Sequence, residues 1–186
     1  MVNLAQAYAA LDRYIEEWMQ YANVPGIAVA LTDHEQLLRV STYGFADRDT
    51  RTPVTPDTLF EIGSISKSFT SIVLLQLYEE GRIDLHAPVT RYLPWFQVQS
   101  AYEPITLHHL MCHTAGISSG VDLAPSARYG AWALRETATA FAPGTHYHYS
   151  NVGYQALGYV LEDLLNQPYA QIIRERILAP LGTEKN

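Results

Sequence analysis

The chain has 186 residues, 48% of them hydrophobic, which is enough to bury one sizeable core or two small ones and argues against disorder. A formal net charge of −7, a pI near 5.4 and the absence of any basic run exclude nucleic acid and anionic membrane as main partners. The single cysteine, Cys112, rules out an internal disulfide, and no apolar stretch approaches the roughly 20 residues of a bilayer span, since Glu79 and Glu80 break the longest, Ile72 to Tyr78.

Leu4, Ala7, Leu11, Tyr14, Ile15 and Trp18 recur at three-and-four spacing, which predicts an amphipathic helix ending near Asn23 and Pro25. Gly26 to Thr32 and Leu37 to Tyr43 are rich in β-branched residues and flank the turn-forming Asp33-His34-Glu35-Gln36, the pattern of a β-hairpin. A helix followed by a hairpin suggests one edge of an α/β layer. After a polar loop with Asp47, Asp49, Pro53 and Pro56, Ser64 to Glu80 carries a continuous apolar helical pattern closed by Gly81, as in a helix buried on most sides. From Ile83 onward, helices over Thr106 to Cys112, Ala131 to Thr137, Val152 to Asn166 and Tyr169 to Leu178 alternate with loops and predict an all-helical lobe. The chain then divides into residues 1–80, part of an α/β domain that includes the Ser64 helix, and residues 81–186, an all-helical domain.

Two short motifs carry chemistry. In Ser64-Ile65-Ser66-Lys67 the helical spacing sets a hydroxyl and an amine on one face, one turn apart, where they can exchange a proton. The helix start adds free N–H groups and partial positive charge, which favour an oxyanion there. Of twelve basic residues only Lys67 and Lys185 are lysines, so a chain that otherwise uses arginine places a lysine inside an apolar helix. The ordinary alternative is that Ser64 caps the helix while Lys67 snorkels to solvent. Tyr149-Ser150-Asn151, after Pro143-Gly144-Thr145 and before a helix, can present a phenol that relays a proton and a carboxamide that donates to a substrate carbonyl. There the alternative is a core aromatic followed by Asn151 as helix cap.

Five segments in register go further than either motif: Phe60-Glu61-Ile62-Gly63-Ser64-Ile65-Ser66-Lys67-Ser68-Phe69-Thr70, Glu79-Glu80-Gly81-Arg82-Ile83-Asp84-Leu85, Ile105 to Ile117 with His113-Thr114-Ala115-Gly116, Pro143-Gly144-Thr145 with Tyr149-Ser150-Asn151, and Pro180-Leu181-Gly182. From about Val24 to Gly182 the chain resembles the β-lactamase-related serine hydrolases, the family of class C β-lactamases, D,D-peptidases and related esterases. The resemblance implies an α+β, β-lactamase/transpeptidase-like fold, here a partial α/β sandwich region plus an all-helical lobe. It implies Ser64 as acylated nucleophile, Lys67 as its activating base, Tyr149 as the base or acid serving leaving group and water, and Asn151 as a substrate-amide contact. Lys67 and Tyr149 act as a coupled pair. No metal and no other cofactor is implied.

Members of that family are about twice this long and bring a Lys-Thr-Gly or His-x-Gly motif on a later strand. No such motif follows Lys185 and Asn186, so the C-terminal sheet strands are expected to be lacking, together with the second oxyanion donor. The expectation is a C-terminal half supplied by another chain or by homo-oligomer contacts, beside a small-molecule or peptide substrate. His146 and His148 alternate along an extended segment and could offer two imidazoles to a metal, a use the family does not need, whereas His113 reads as a packing and hydrogen-bonding residue behind the site. Two functions stay open: hydrolysis of an ester, β-lactam or D-amino-acid peptide bond through Ser64, or a non-catalytic relic that binds peptide or cell-wall ligands. No secretory pattern opens the chain, which points to the cytoplasm, while the resemblance points to the cell envelope or outside.

Overall fold

The computed structural model describes residues 3–120 and 125–183, so Lys185 lies outside the described residues. The chain forms two compact units that meet between Glu61 and Ile62 in sequence, earlier than the expected boundary at residue 80. The reason is that the Ser64 helix packs among the later helices.

In the first unit, helix α1 (Leu4–Ala22) starts at Asn3, whose side-chain oxygen accepts the Gln6 N–H, and stops at Asn23 in the left-handed region. Strands β1 (Gly26–Thr32) and β2 (Leu37–Asp47) form the expected antiparallel hairpin, with Val29 opposite Ser41. The Asp33 carboxylate accepts the N–H groups of Glu35 and Gln36 and so fixes its turn. A third strand, β3 (Thr52–Pro53), pairs with β2; two residues, one a proline, leave no alternation to read in sequence. Gly26 is required by close approach, since a Cβ there would lie 2.6 Å from the Phe45 carbonyl oxygen. Asp12 ties α1 to β2 by accepting from Arg39 at 2.8 Å and from the Tyr43 hydroxyl.

The second unit is built around helix α5 (Asn151–Leu165), whose Val152, Ala156, Leu157, Val160 and Leu161 are fully buried. Helices α2 (Ser66–Glu79), α3 (Leu107–Met111), α4 (Ala127–Ala133) and α6 (Tyr169–Ile173) pack on it, and a widened helical turn over Arg174–Leu178 follows α6. Among the described residues this unit has only isolated β-bridges, Pro88 with Thr106 and Gln99 with Ala138. Helix α4 begins before the expected Ala131, because Ser126 caps it by accepting the Tyr129 N–H. The expectation that the Ser64 helix is buried on most sides is corrected. Thr70, Val73, Leu74 and Leu77 of α2 are buried against its neighbours, but Ile72, Leu75 and Tyr78 on its other side are exposed. Among the described residues no helix is long and apolar enough to cross a membrane.

Candidate active site

Gly63, at φ +51°, turns the chain into a 3-10 turn, Gly63–Ile65, that runs directly into α2. Neither the turn nor α2 is entered through a side-chain cap, so the Ser64 hydroxyl is not spent on the backbone. It faces two side chains instead. Lys67, one turn on, donates from Nζ to Ser64 Oγ at 3.0 Å and to Asn151 Oδ1 at 2.8 Å. The Tyr149 hydroxyl stands 2.5 Å from Ser64 Oγ. The structure thus brings Ser64, Lys67, Tyr149 and Asn151 into one hydrogen-bonded group, although 84 residues separate Lys67 from Asn151 in sequence.

The directions of these bonds order the protons. An ammonium at Lys67 has only hydrogens to offer, so Ser64 Oγ accepts from it, and the Ser64 proton is free to point at the Tyr149 oxygen. Hydrogen bonding from Lys67, then from Ser64, draws the Tyr149 phenol below its ordinary pKa and outweighs the opposing effect of burial. The Lys67 ammonium also lies 4.8 Å from the centre of the Tyr149 ring and 5.7 Å from that of Tyr154.

Tyr149 and Asn151 owe their places to a backbone clamp. The segment from His113 to Ser119 runs beside residues 140–151: carbonyls of Gly116, Thr114, His113 and Ser119 accept, in turn, the N–H groups of Ala140, Gly144, His148 and Asn151, each at 2.8 Å. Gly116 adopts φ +72°, and a Cβ there would lie 2.6 Å from the Phe141 carbonyl oxygen. Ser150, buried between the two site residues, is the N-cap of α5; its hydroxyl donates to the Ser118 carbonyl at 2.7 Å and accepts the Gly153 N–H at 3.1 Å. The capping role weighed for Asn151 therefore belongs to Ser150, and the Asn151 carboxamide is left for Lys67.

His113 sits behind Tyr149. Its Nδ1 accepts the Ser150 N–H at 3.0 Å, and its ring lies 4.4 Å from that of Tyr149 and 5.1 Å from that of Tyr154. Burial, and secondarily the charge of Lys67, hold its imidazole below the ordinary pKa. Tyr154, which the sequence did not single out, donates to the Met111 carbonyl at 2.8 Å and meets Ser71 Oγ at 3.0 Å. A cavity of about 460 Å³ opens beside Lys67 and Asn151 and is walled by Thr70, Tyr154, Gly158, Tyr159 and Tyr169. His146 lies against Phe141 and bonds Thr145, and among the described residues no group of three or more His, Cys, Asp or Glu is placed to hold a metal.

A chain with one unit of helix and small antiparallel sheet, and another that sets Ser-x-x-Lys at a helix start against Tyr-x-Asn at the start of a second helix, has the β-lactamase/transpeptidase-like fold. The chain belongs to the beta-lactamase family, whose model matches residues 11–185. It is 31% identical over 202 residues to esterase EstB of Burkholderia gladioli, covering 97% of this chain and 51% of the esterase. The octameric penicillin-binding protein homologue of Pyrococcus abyssi superposes with a TM-score of 0.85 at 31% identity, over 94% of this chain and 43% of that one. A beta-lactamase/D-alanine carboxypeptidase from Yersinia pestis gives 0.80 at 28%, over 97% and 55%. Across its relatives the chain spans from 36% to 55% of their length.

Proposed function

We propose that the chain carries the nucleophile-bearing part of a serine hydrolase that works through an ester intermediate on Ser64. The observation that carries this reading is the Ser64 hydroxyl held between the Lys67 ammonium and the Tyr149 oxygen, with no structural duty of its own. In the first step Ser64 Oγ attacks a carbonyl carbon while its proton passes to Tyr149, and Lys67 stabilises the phenolate that receives it. Collapse of the tetrahedral intermediate breaks the bond to the leaving group, which takes the proton from Tyr149. Water then attacks the ester carbonyl as Tyr149 takes its proton, and collapse breaks the bond from Ser64 Oγ to the acyl carbon while Tyr149 returns that proton to Oγ, releasing the acid. The Asn151 side-chain N–H₂, opposite the oxygen that accepts from Lys67, donates to an amide or ester carbonyl of the substrate.

The substrate is an ester, a β-lactam or a peptide bond next to a D-amino acid. An esterase and a D-alanine carboxypeptidase among the similar proteins favour ester and peptide over lactam. Contacts between copies belong to this reading as well, supported by the octameric state of the Pyrococcus homologue.

The test is intact-protein mass after incubation with a serine-reactive fluorophosphonate, with Ser64→Ala as control. One adduct, lost in the variant, is expected. Labelling that requires the unmatched part of a relative still upholds the Ser64 reading; no adduct under either condition would leave the non-catalytic binding protein as the better reading.

A further inference from the structure

His113 makes contacts that a merely space-filling residue would not need. It adopts φ +57°, a conformation L-residues rarely take, and there joins both halves of the segment that carries Tyr149 and Asn151. Its carbonyl accepts the His148 N–H at 2.8 Å, and its Nδ1 accepts the Ser150 N–H at 3.0 Å. Between those anchors its ring lies against that of Tyr149, with the two planes tilted 31° apart. Tyr149 is thus fixed by one residue at three points: the N–H before it, the N–H after it and its own ring face. Ser150 is buried, so its N–H has no water to turn to if the acceptor is lost.

The chemistry of that acceptor is specific. An imidazole nitrogen accepts only when it carries no proton, so the contact selects the neutral ring with hydrogen on Nε2. A second proton on Nδ1 would set N–H against N–H and expel the Ser150 amide. The groups facing the ring are Lys67 from α2, Tyr147 and Tyr149 from the loop, and Tyr154 from α5; the charge on Lys67 opposes protonation, while Tyr149 opposes it less in its phenolate form than as the neutral phenol.

We propose that His113 is a positioning residue that holds Tyr149 and Asn151 against Ser64 and Lys67 only as the neutral Nε2-H imidazole, so that protonating it releases them and closes the site at acidic pH. The inference rests on the Ser64 ester reading for its catalytic consequence and on geometry alone for the contact. Its signature is a second inflection in the pH profile of Ser64 labelling, below the ordinary imidazole range, added to the limb that Tyr149 sets at higher pH.

Two substitutions suit the left-handed backbone and separate the acceptor from the ring. His113→Asn keeps an oxygen near the place of Nδ1 and does not titrate; His113→Gly removes acceptor and ring together. Fluorophosphonate labelling of Ser64 in the full chain is expected to fall about a hundredfold in the glycine variant, the scale of a 1 Å misplacement. The asparagine variant is expected to recover to within about tenfold of the parent at neutral pH and to lose the second inflection. Equal rates in the two variants, or an unmoved inflection in the asparagine variant, would overturn the proposal. Imidazole and amide nitrogen NMR decides the contact independently of labelling. The expected result is an unprotonated Nδ1 at neutral pH and a Ser150 amide that shifts with the His113 titration. A protonated Nδ1, or a Ser150 amide indifferent to that titration, would overturn the proposal even where Ser64 labels well. If the parent chain labels neither alone nor with the unmatched part of a relative added, the ester reading falls and this spectrum alone judges His113.

Discussion

In the proposed mechanism Ser64, Lys67 and Tyr149 share what is in effect one mobile proton, and the lysine determines where it rests. By donating to Ser64 Oγ and Asn151 Oδ1, Lys67 leaves the Tyr149 oxygen as the destination for the serine proton. Because hydrogen bonding holds the phenol below its ordinary pKa, the reactive phenolate form gains population as pH rises and saturates below the pH of a free tyrosine. Replacing Lys67 by Met removes the main cause of that shift. The rise in Ser64 labelling, and the growth of phenolate absorbance with it, should then move to higher pH; an unmoved midpoint would mean that the lysine does not tune the phenol. Tyr149→Phe keeps the ring against His113 but has no oxygen to take the proton. It should slow labelling by about 10²- to 10⁴-fold, the range for loss of a general base, and abolish this pH dependence. These four residues were legible as candidates because S-x-x-K and Y-x-N each suggest chemistry. What the sequence did not reveal was whether Ser64 and Asn151 were merely helix caps, which depended on Ser150 taking the cap of α5 and on α2 being entered with none.

The helices and loops that hold those side chains were legible to different degrees, for physical reasons. Helix α1 and the β1–β2 hairpin repeat their apolar residues with a clean period and end at recognisable turn chemistry, so pattern and structure agree closely. Helix α4 is short, and its start depends on one capping serine rather than on any repeat, which is why its onset was placed late. The pairing of residues 113–119 with 140–151 had no signal, since it consists of single backbone bonds between loops and not of a ladder. Its anchor is Ser150, which has two partners and almost no exposure. Ser150→Ala leaves the Gly153 N–H and the Ser118 carbonyl without their bonds. It should destabilise the second unit by about 1–2 kcal/mol, read from the denaturant midpoint with an unchanged slope. A variant as stable as the parent would show that the cap is made by water instead.

At the scale of the whole molecule, the unusual feature is the exposed side of α2, the helix that begins beside Ser64. Ile72 and Leu75 are each 45% exposed and Tyr78 is 49% exposed, on a helix whose sequence reads as buried on most sides. An all-round apolar helix signals burial on two sides without saying what supplies the second. A row of large apolar side chains at three-residue spacing is the kind of patch that marks an interaction surface. Burying a side chain such as Leu75 is worth about 1.5–3 kcal/mol, so two or three of them would matter to an assembly while contributing little to the isolated unit. Leu75→Glu should therefore change unfolding stability by no more than about 0.5 kcal/mol, as for an ordinary surface substitution. In sedimentation velocity the same variant should lose association that the parent shows, whether with other copies or with the unmatched part of a full-length relative supplied as a separate polypeptide. A parent chain that stays monomeric across concentration and ignores that polypeptide would refute a role for this face in assembly. A glutamate variant that unfolds several kcal/mol more easily would instead assign Leu75 to the packing of its own unit.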